Sequence, residues 1–87
     1  MGNWKWYVYI IECLDNTYYT GKTWNVDIRH NQHAAGVGSK YTAKHGFKKL
    51  VYYEEHTDAK IARLQEIQIK GWSQEKKRKI LIEKFSF

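Results

Sequence analysis

The sequence predicts an α+β domain, a small three-stranded and largely antiparallel sheet flanked by helices in the order β-β-α-β-α-α. Three observations carry this. Two runs rich in Tyr, Val, Ile and Thr, residues 6–13 (WYVYIIEC) and 17–23 (TYYTGKT), stand on either side of a Leu14-Asp15-Asn16 turn. A third such run, residues 50–54 (LVYYE), falls between two helical stretches. Asn25, Thr57 with Asp58, and Ser73 stand where helix N-caps belong, and Gly36 and Gly71 stand where helices stop.

The first run is nearly continuous in β-favouring residues, so it reads as a strand covered on both faces. The turn that follows decides where its side chains point, because side chains alternate faces along a strand. A two-residue turn at Asp15-Asn16 would set Tyr9 against Lys22 and put Tyr9 and Tyr19 on opposite faces. A three-residue turn at Leu14-Asp15-Asn16 sets Ile11 against Tyr19 and Tyr9 against Gly21, with both phenols on one face. The longer turn needs a left-handed residue in third place, which Asn16 tolerates. The three-residue turn is therefore expected.

Asn25 caps a helix from Val26 to about Ala35, with Asp27 in the first turn, where negative charge is favoured. Residues 36–46 read as a flexible basic loop. The third strand is expected over residues 50–54. A second helix opens at Thr57-Asp58 and runs to about Lys70, and a last one runs from Ser73 to about Lys84. At about 100° per residue, Ile61, Leu64, Ile69 and Trp72 form the second helix's apolar arc, with Glu66 just past its edge. Such a carboxylate is partly buried yet able to reach a charged site, or it simply pairs with Arg63 or Lys70 at helical spacing.

The 87 residues suit a single domain spanning 1–87. A 43% hydrophobic and 16% aromatic composition excludes a disordered chain. No apolar run approaches the roughly 18 residues of a membrane span. The N-terminus lacks the pattern of a secretory signal, so the cytoplasm is the expected location. A single cysteine, Cys13, excludes an internal disulfide and reads as a small buried hydrophobe. The net charge of +6 is unevenly spread. Residues 1–39 balance to zero, residues 40–49 carry four lysines and no acid, and residues 57–87 carry eight basic against four acidic residues. A clustered basic excess suits a polyanion such as nucleic acid.

The segment YVY at 7–9, followed by YTG at 19–21, resembles the paired signature of the GIY-YIG endonuclease family. Tyr9 matches the tyrosine ending the first half, and Tyr19 and Gly21 match the second. The likeness continues through KTWNVDIRHNQH and AGVGSKYT and ends in the glutamate helix RLQEIQIKGWSQEKK. It covers residues 6 to about 84 and is closest to short stand-alone bacterial members. More distantly the chain resembles the nuclease domain of a nucleotide-excision-repair protein, which links it to DNA repair. Val8 and Thr20 replace the isoleucines of the signature, and residues 73–87 lack the asparagine found on the last helix of many members.

The resemblance implies a metal-dependent endonuclease that hydrolyses DNA phosphodiester bonds, and it assigns the parts. Glu66 is the sole protein ligand of a divalent metal, Mg²⁺ or Mn²⁺, which accepts one carboxylate plus waters and phosphate. Arg29 holds the scissile phosphate through its planar fork. Tyr9 is the general base, and a nearby cation such as Lys22 or the metal helps its phenolate form. Tyr19 shares its hydrogen-bond network. His33, one turn after Arg29 on the same helix face, relays a proton or contacts phosphate. Lys22, Lys40, Tyr41, Lys44 and Lys70 are candidates for nucleic-acid contact, and 76–79 (KKRK) form a weaker second patch. Contacts of this kind fix position rather than sequence, so little sequence preference is expected. The domain is expected to act as a monomer, with specificity coming from nucleic-acid structure or from a partner protein. Two other readings remain: a binding module that has kept the fold without useful activity, and a basic scaffold whose activity depends wholly on a partner.

Overall fold

The computed structural model describes residues 5–82, with the side chain of residue 82 left aside. Its elements are β1 (Trp6–Cys13), β2 (Tyr18–Thr23), α1 (Val26–Ala34), α2 (Lys40–His45), β3 (Phe47–His56), α3 (Ala59–Lys70) and α4 (Gln74–Lys76), which runs straight into a π-helical segment, Lys77–Ile82. The three strands form one antiparallel sheet in the order β2-β1-β3. The α+β class and the order of its strands and main helices are those the sequence predicts. Among the described residues no helix is long and apolar enough to cross a membrane.

The hairpin has the three-residue turn. Ile11 faces Tyr19 and Tyr9 faces Gly21, and the Cys13 amide donates to the Thr17 carbonyl at 2.8 Å. Asn16 is the only non-glycine residue with positive φ among those described, at 69°. Asp15 secures the turn by accepting from the Thr17 amide at 3.2 Å and hydroxyl at 2.6 Å, and by pairing with His45 of α2. Those bonds hold the Asp15 carboxyl at about 2, below the usual carboxylate range.

Central strand β1 is covered on both faces, with Val8, Ile10, Ile11 and Cys13 fully buried. On one face Val8, Ile10, Tyr18, Val51 and Tyr52 pack against Ala62 and Ile69 of α3 and Leu81 of the C-terminal segment, with Trp6 and Trp72 at the margin. On the other, Tyr9, Ile11 and Cys13 pack with Tyr19, Tyr41, Phe47 and Leu50. There the His30 ring of α1 meets Phe47 edge-on at 5.2 Å, so α1 and α2 lie over this face.

Five expectations need correction. The basic stretch after Gly36 is not all loop: Ser39 caps α2 by accepting from the Thr42 amide at 3.0 Å. Strand β3 extends beyond 50–54 because it pairs with β1 along its whole length, from Cys13↔Phe47 to Trp6↔His56. That pairing overrides the weak strand preference of Lys48 and Lys49. On α3 the buried line runs through Ala62 and Ile69, leaving Ile61 and Leu64 exposed. The small Ala62 lets the helix approach the sheet closely, a preference that a hydrophobicity wheel does not register. The last helix keeps its Ser73 cap but is α-helical only to Lys76, and the expected end near Lys84 lies outside the described residues. The patch at 76–79 is not a free cationic surface either. Lys77 is buried, Lys76 lies 4.5 Å over the Trp72 ring, and Lys79 pairs with Glu75 at 3.3 Å.

The turn makes a stability prediction. Asn16→Val places a β-branched residue in the left-handed region and should cost about 1–2 kcal/mol, whereas Asn16→Gly should be near neutral. Urea unfolding of the two variants checks this, and equal stabilities would mean that the turn does not depend on that conformation.

Candidate active site

The register of the hairpin brings the Tyr9 and Tyr19 rings to the face beneath α1 and α2, with centroids 6.4 Å apart. Tyr9 is 3% exposed, so its hydroxyl must find a partner inside. The partner is His33, four residues after Arg29 on α1, with Tyr9 Oη 2.8 Å from His33 Nε2. The other ring nitrogen, Nδ1, lies 2.7 Å from Thr42 Oγ1, and that oxygen lies 3.0 Å from Ser39 Oγ. Four side chains from β1, α1, α2 and the α2 cap thus form one continuous hydrogen-bonded chain.

Two glycines make room for it. A Cβ on residue 21 would overlap the Tyr9 hydroxyl, and one on residue 38 would come within 2.5 Å of His33 Nδ1. Gly21 lets the phenol lie across β2, and Gly38 lets the loop before α2 press onto the imidazole. The Gly38 carbonyl also accepts from Arg29 Nη1 at 3.3 Å. Arg29 Nε is buried and has no hydrogen-bond partner among the described residues. Arg29 and Tyr9 line one tight gap with Ile11, Val26, His30 and Leu50 that has no room for a water molecule.

Tyr19 stands beside this chain, with its ring 5.4 Å from His33 and 5.6 Å from Tyr41. Tyr41 in turn stacks on His45 at 4.1 Å, so it packs into the site wall. Glu66 comes from α3. Its side chain is 17% exposed and pairs with Lys70 at 3.2 Å, one turn along the helix.

Burial sets the electrostatics. It raises the Tyr9 phenol well above its ordinary value; Tyr19 adds to the shift, Arg29 opposes it, and Glu66 adds again. Arg29 lines the same gap as Tyr9, whereas Glu66 stands on α3, which packs on the opposite face of the sheet, and acts on the phenol only as the weakest of these charges. Burial also lowers His33 to about 4, with the positive charge of Arg29 and then His30 contributing. Both members of the Tyr9–His33 pair are therefore neutral near pH 7.

The remaining predicted contacts are more dispersed. Lys22 faces Val8 across the hairpin, on the sheet face opposite Tyr9, and lies 4.9 Å over the Trp6 ring. The cation acting on Tyr9 is thus Arg29 rather than Lys22. Lys40 and Lys44 are exposed on α2, and Lys70 is half-exposed beside Glu66. Sequence reasoning gave no role to Gly38, Ser39 or Thr42. The signal was present as a serine three residues before a threonine, the spacing of an N-cap, but the region lacked periodicity and read as loop.

Residues 5–79 match the family described as the GIY-YIG catalytic domain. The chain belongs to the GIY-YIG family. A UPF0213 protein of Staphylococcus haemolyticus is 42% identical over 92% of this chain and 98% of its own length. A UPF0213 protein of Haloquadratum walsbyi is 40% identical over 85% of this chain and 83% of its own. The solution NMR structure of the UPF0213 protein from Bacillus halodurans is 40% identical, with a TM-score of 0.56 over 87% of this chain and 81% of that one. The GIY-YIG fold and the nuclease family are therefore secure for this chain.

The depressed His33 value has a direct check. In a proton NMR titration of the folded protein, the His33 ring should stay neutral down to about pH 4. An unfolded His33 takes its proton near 6.5, so stability should fall as pH drops from about 6.5 towards 4 on this account. A His33 ring that titrates near 6.5 in the folded domain would contradict the buried, neutral site.

Proposed function

We propose that this GIY-YIG domain is a metal-dependent endonuclease that hydrolyses DNA phosphodiester bonds with little sequence preference. The observation that supports this best is the buried Tyr9–His33 hydrogen bond, 2.8 Å long, with the Arg29 guanidinium lining the same tight gap as the phenol. A structural arginine would have its donors satisfied. A guanidinium with an unmet donor beside a hydrogen-bonded phenol is suited to a phosphate, which would reach it once Arg29 turns outward from that gap.

Tyr9 is the general base. As a neutral phenol with a raised pKa it holds no standing phenolate, so it can take a proton from water only by giving up its own. The acceptor within reach is His33 Nε2, at 2.8 Å. The hydroxide so formed attacks phosphorus, the bond to the 3′ oxygen breaks, and that oxygen takes the proton first removed from water, leaving a 5′-phosphate and a 3′-hydroxyl. Arg29 holds the phosphate and opposes the negative charge that builds on its oxygens. Tyr19, beside Tyr9 and His33, orients water or phosphate.

Glu66 fits a divalent metal. It is a hard oxygen donor, mostly buried, and its present partner is the ammonium of half-exposed Lys70, a cation that solvent can reclaim. Mg²⁺ or Mn²⁺ held there would supply charge neutralisation at the phosphoryl oxygens. Lys40 and Lys44, exposed on α2, supply backbone contacts, so selectivity comes from nucleic-acid structure or a partner protein rather than base readout. The Glu66–Lys70 pair also favours one competing reading, a binding module in which Glu66 is structural.

Cleavage of single-stranded, duplex, flap and branched DNA and of RNA, at low salt with Mg²⁺ or Mn²⁺, tests the proposal. Arg29→Ala and Glu66→Gln should each lower metal-dependent cutting by about 10²-fold or more, and Arg29→Lys should restore little. Tight binding without cutting by the unmodified domain would favour the binding module.

A further inference from the structure

The chain of hydrogen bonds extends two residues beyond the proton acceptor, and the count of hydrogens along it has one favourable solution. The Ser39 hydroxyl oxygen already accepts from the Thr42 amide at 3.0 Å. Thr42 Oγ1 lies 2.7 Å from His33 Nδ1, 3.0 Å from Ser39 Oγ and 3.5 Å from the Ser39 carbonyl. A neutral imidazole carries one proton, on Nδ1 or on Nε2.

If Nε2 carried it, that nitrogen would donate to the Tyr9 oxygen. The hydroxyl hydrogen of Tyr9 would then need another acceptor, yet the Tyr9 oxygen has no second hydrogen-bond partner among the described residues, and the residue is 3% exposed. A buried unsatisfied hydrogen of this kind is disfavoured. If Nδ1 carries the proton, every hydrogen along this chain of side chains has an acceptor. Nδ1–H donates to Thr42 Oγ1, and the Thr42 hydroxyl donates to Ser39 Oγ or to the Ser39 carbonyl. The Tyr9 hydroxyl donates to bare Nε2, and the Ser39 hydrogen is left for solvent, which partly exposed Ser39 can reach.

We propose that Thr42, held by Ser39 at the cap of α2, is the positioning residue that fixes His33 in the Nδ1–H tautomer and so makes Nε2 the acceptor of the Tyr9 proton. This deepens the proposed function, resting on Tyr9 as general base. The proton balance follows. A water O–H bond breaks and its proton joins Tyr9 Oη while the Tyr9 proton joins His33 Nε2, so the imidazole becomes doubly protonated. The imidazolium then returns its Nε2 proton to Tyr9 Oη, and the proton that Tyr9 took from water passes to the leaving 3′ oxygen, so the ring ends in the Nδ1–H tautomer that Thr42 holds. A histidine whose pKa lies near 4 passes such a proton on rather than keeping it. Gly38 belongs to the same device, because any side chain there would push His33 Nδ1 away from Thr42.

The test reads the tautomer directly, on the whole ¹⁵N-labelled chain at neutral pH, by long-range ¹H–¹⁵N correlation. In the unmodified protein His33 should show a protonated Nδ1 and a bare Nε2. Thr42→Val keeps the shape and loses the hydroxyl, and it should lower the Nδ1–H fraction, while Thr42→Ser should restore it. A wild-type ring protonated on Nε2 overturns the proposal, and so does a tautomer that Thr42→Val leaves unchanged. Should Thr42→Val fail to fold, Thr42→Ala removes the same hydroxyl without adding a methyl in its place. In a cutting preparation, Thr42→Val should lower kcat about tenfold with KM unchanged, part of the ~10²–10⁴ that a positioned proton acceptor contributes, and Thr42→Ser should recover it. A domain that cuts nothing yet shows the expected tautomer refutes the nuclease reading and leaves the assignment at His33 in place. A domain that cuts with an Nε2–H ring does the reverse.

Discussion

A tyrosine hydroxyl buried in the middle of a three-stranded sheet must be satisfied from outside the sheet, because the strand backbones are already paired. Here the Tyr9–His33 hydrogen bond meets that need, and much of the architecture on that face follows from it. Tyr9 can turn across β2 only because its opposite residue is Gly21, and Gly21 stands opposite only because Asn16 lengthens the turn by one residue. His33 can reach down only if α1 lies over the sheet. That position is held by Asn25 at its start, accepting from the Ile28 amide, and by the Gly38 loop closing over its end. The short α2 then exists as much to present Thr42 as to cover Tyr19 and Cys13.

The electrostatic consequence is a neutral interior. Burial drives the phenol upwards and the imidazole downwards, so neither ionises near pH 7 and no ion pair forms between them. Arg29 lies beside that pair and opposes the rise at Tyr9, while Glu66 adds the weakest contribution to it. Moving the proton from the phenol to the imidazole would separate charge in a buried place, so it stays on Tyr9 near pH 7. Lys22, the cation the hairpin sequence places nearest in the chain, is excluded because the pleat turns it to the far face.

What the sequence disclosed depended on how local the governing physics was. The Leu14-Asp15-Asn16 turn, the Asn25 and Ser73 caps and the break at Gly71 are decided within a few residues, and they were readable. So was the face shared by Tyr9 and Tyr19, because the turn sets the register. Site identity came from spacing, which aligns Tyr9, Tyr19, Arg29, His33 and Glu66 with a known signature. The extent of β3 was hidden because Lys49 is in strand only by pairing with Glu12 of β1, and Lys48 sits at an irregularity between that pair and Cys13↔Phe47. The exposure of Ile61 and Leu64 was hidden because Ala62, not the larger residues, meets the sheet. Ser39 and Thr42 were legible at most as a cap, since the bond from Thr42 to His33 spans nine residues of irregular chain.

The core on the α1–α2 face is made of the site itself. Tyr9 is a core residue there, Tyr19 and Tyr41 pack against it, and His33 is almost wholly buried. In a chain of 87 residues there is little other material to absorb the loss of one of these side chains. A truncation such as Tyr9→Ala would therefore remove a ring from the core and a base from the site together, and lost activity after it would say nothing about chemistry. Substitutions that keep the volume and remove one polar atom separate the two. Tyr9→Phe deletes only the hydroxyl, leaving His33 Nε2 an unpaired acceptor, a modest penalty beside the loss of a buried ring. The fused core and site make hydroxyl deletions at Tyr9 and Thr42, rather than truncations, the changes from which the chemistry of this face can be read.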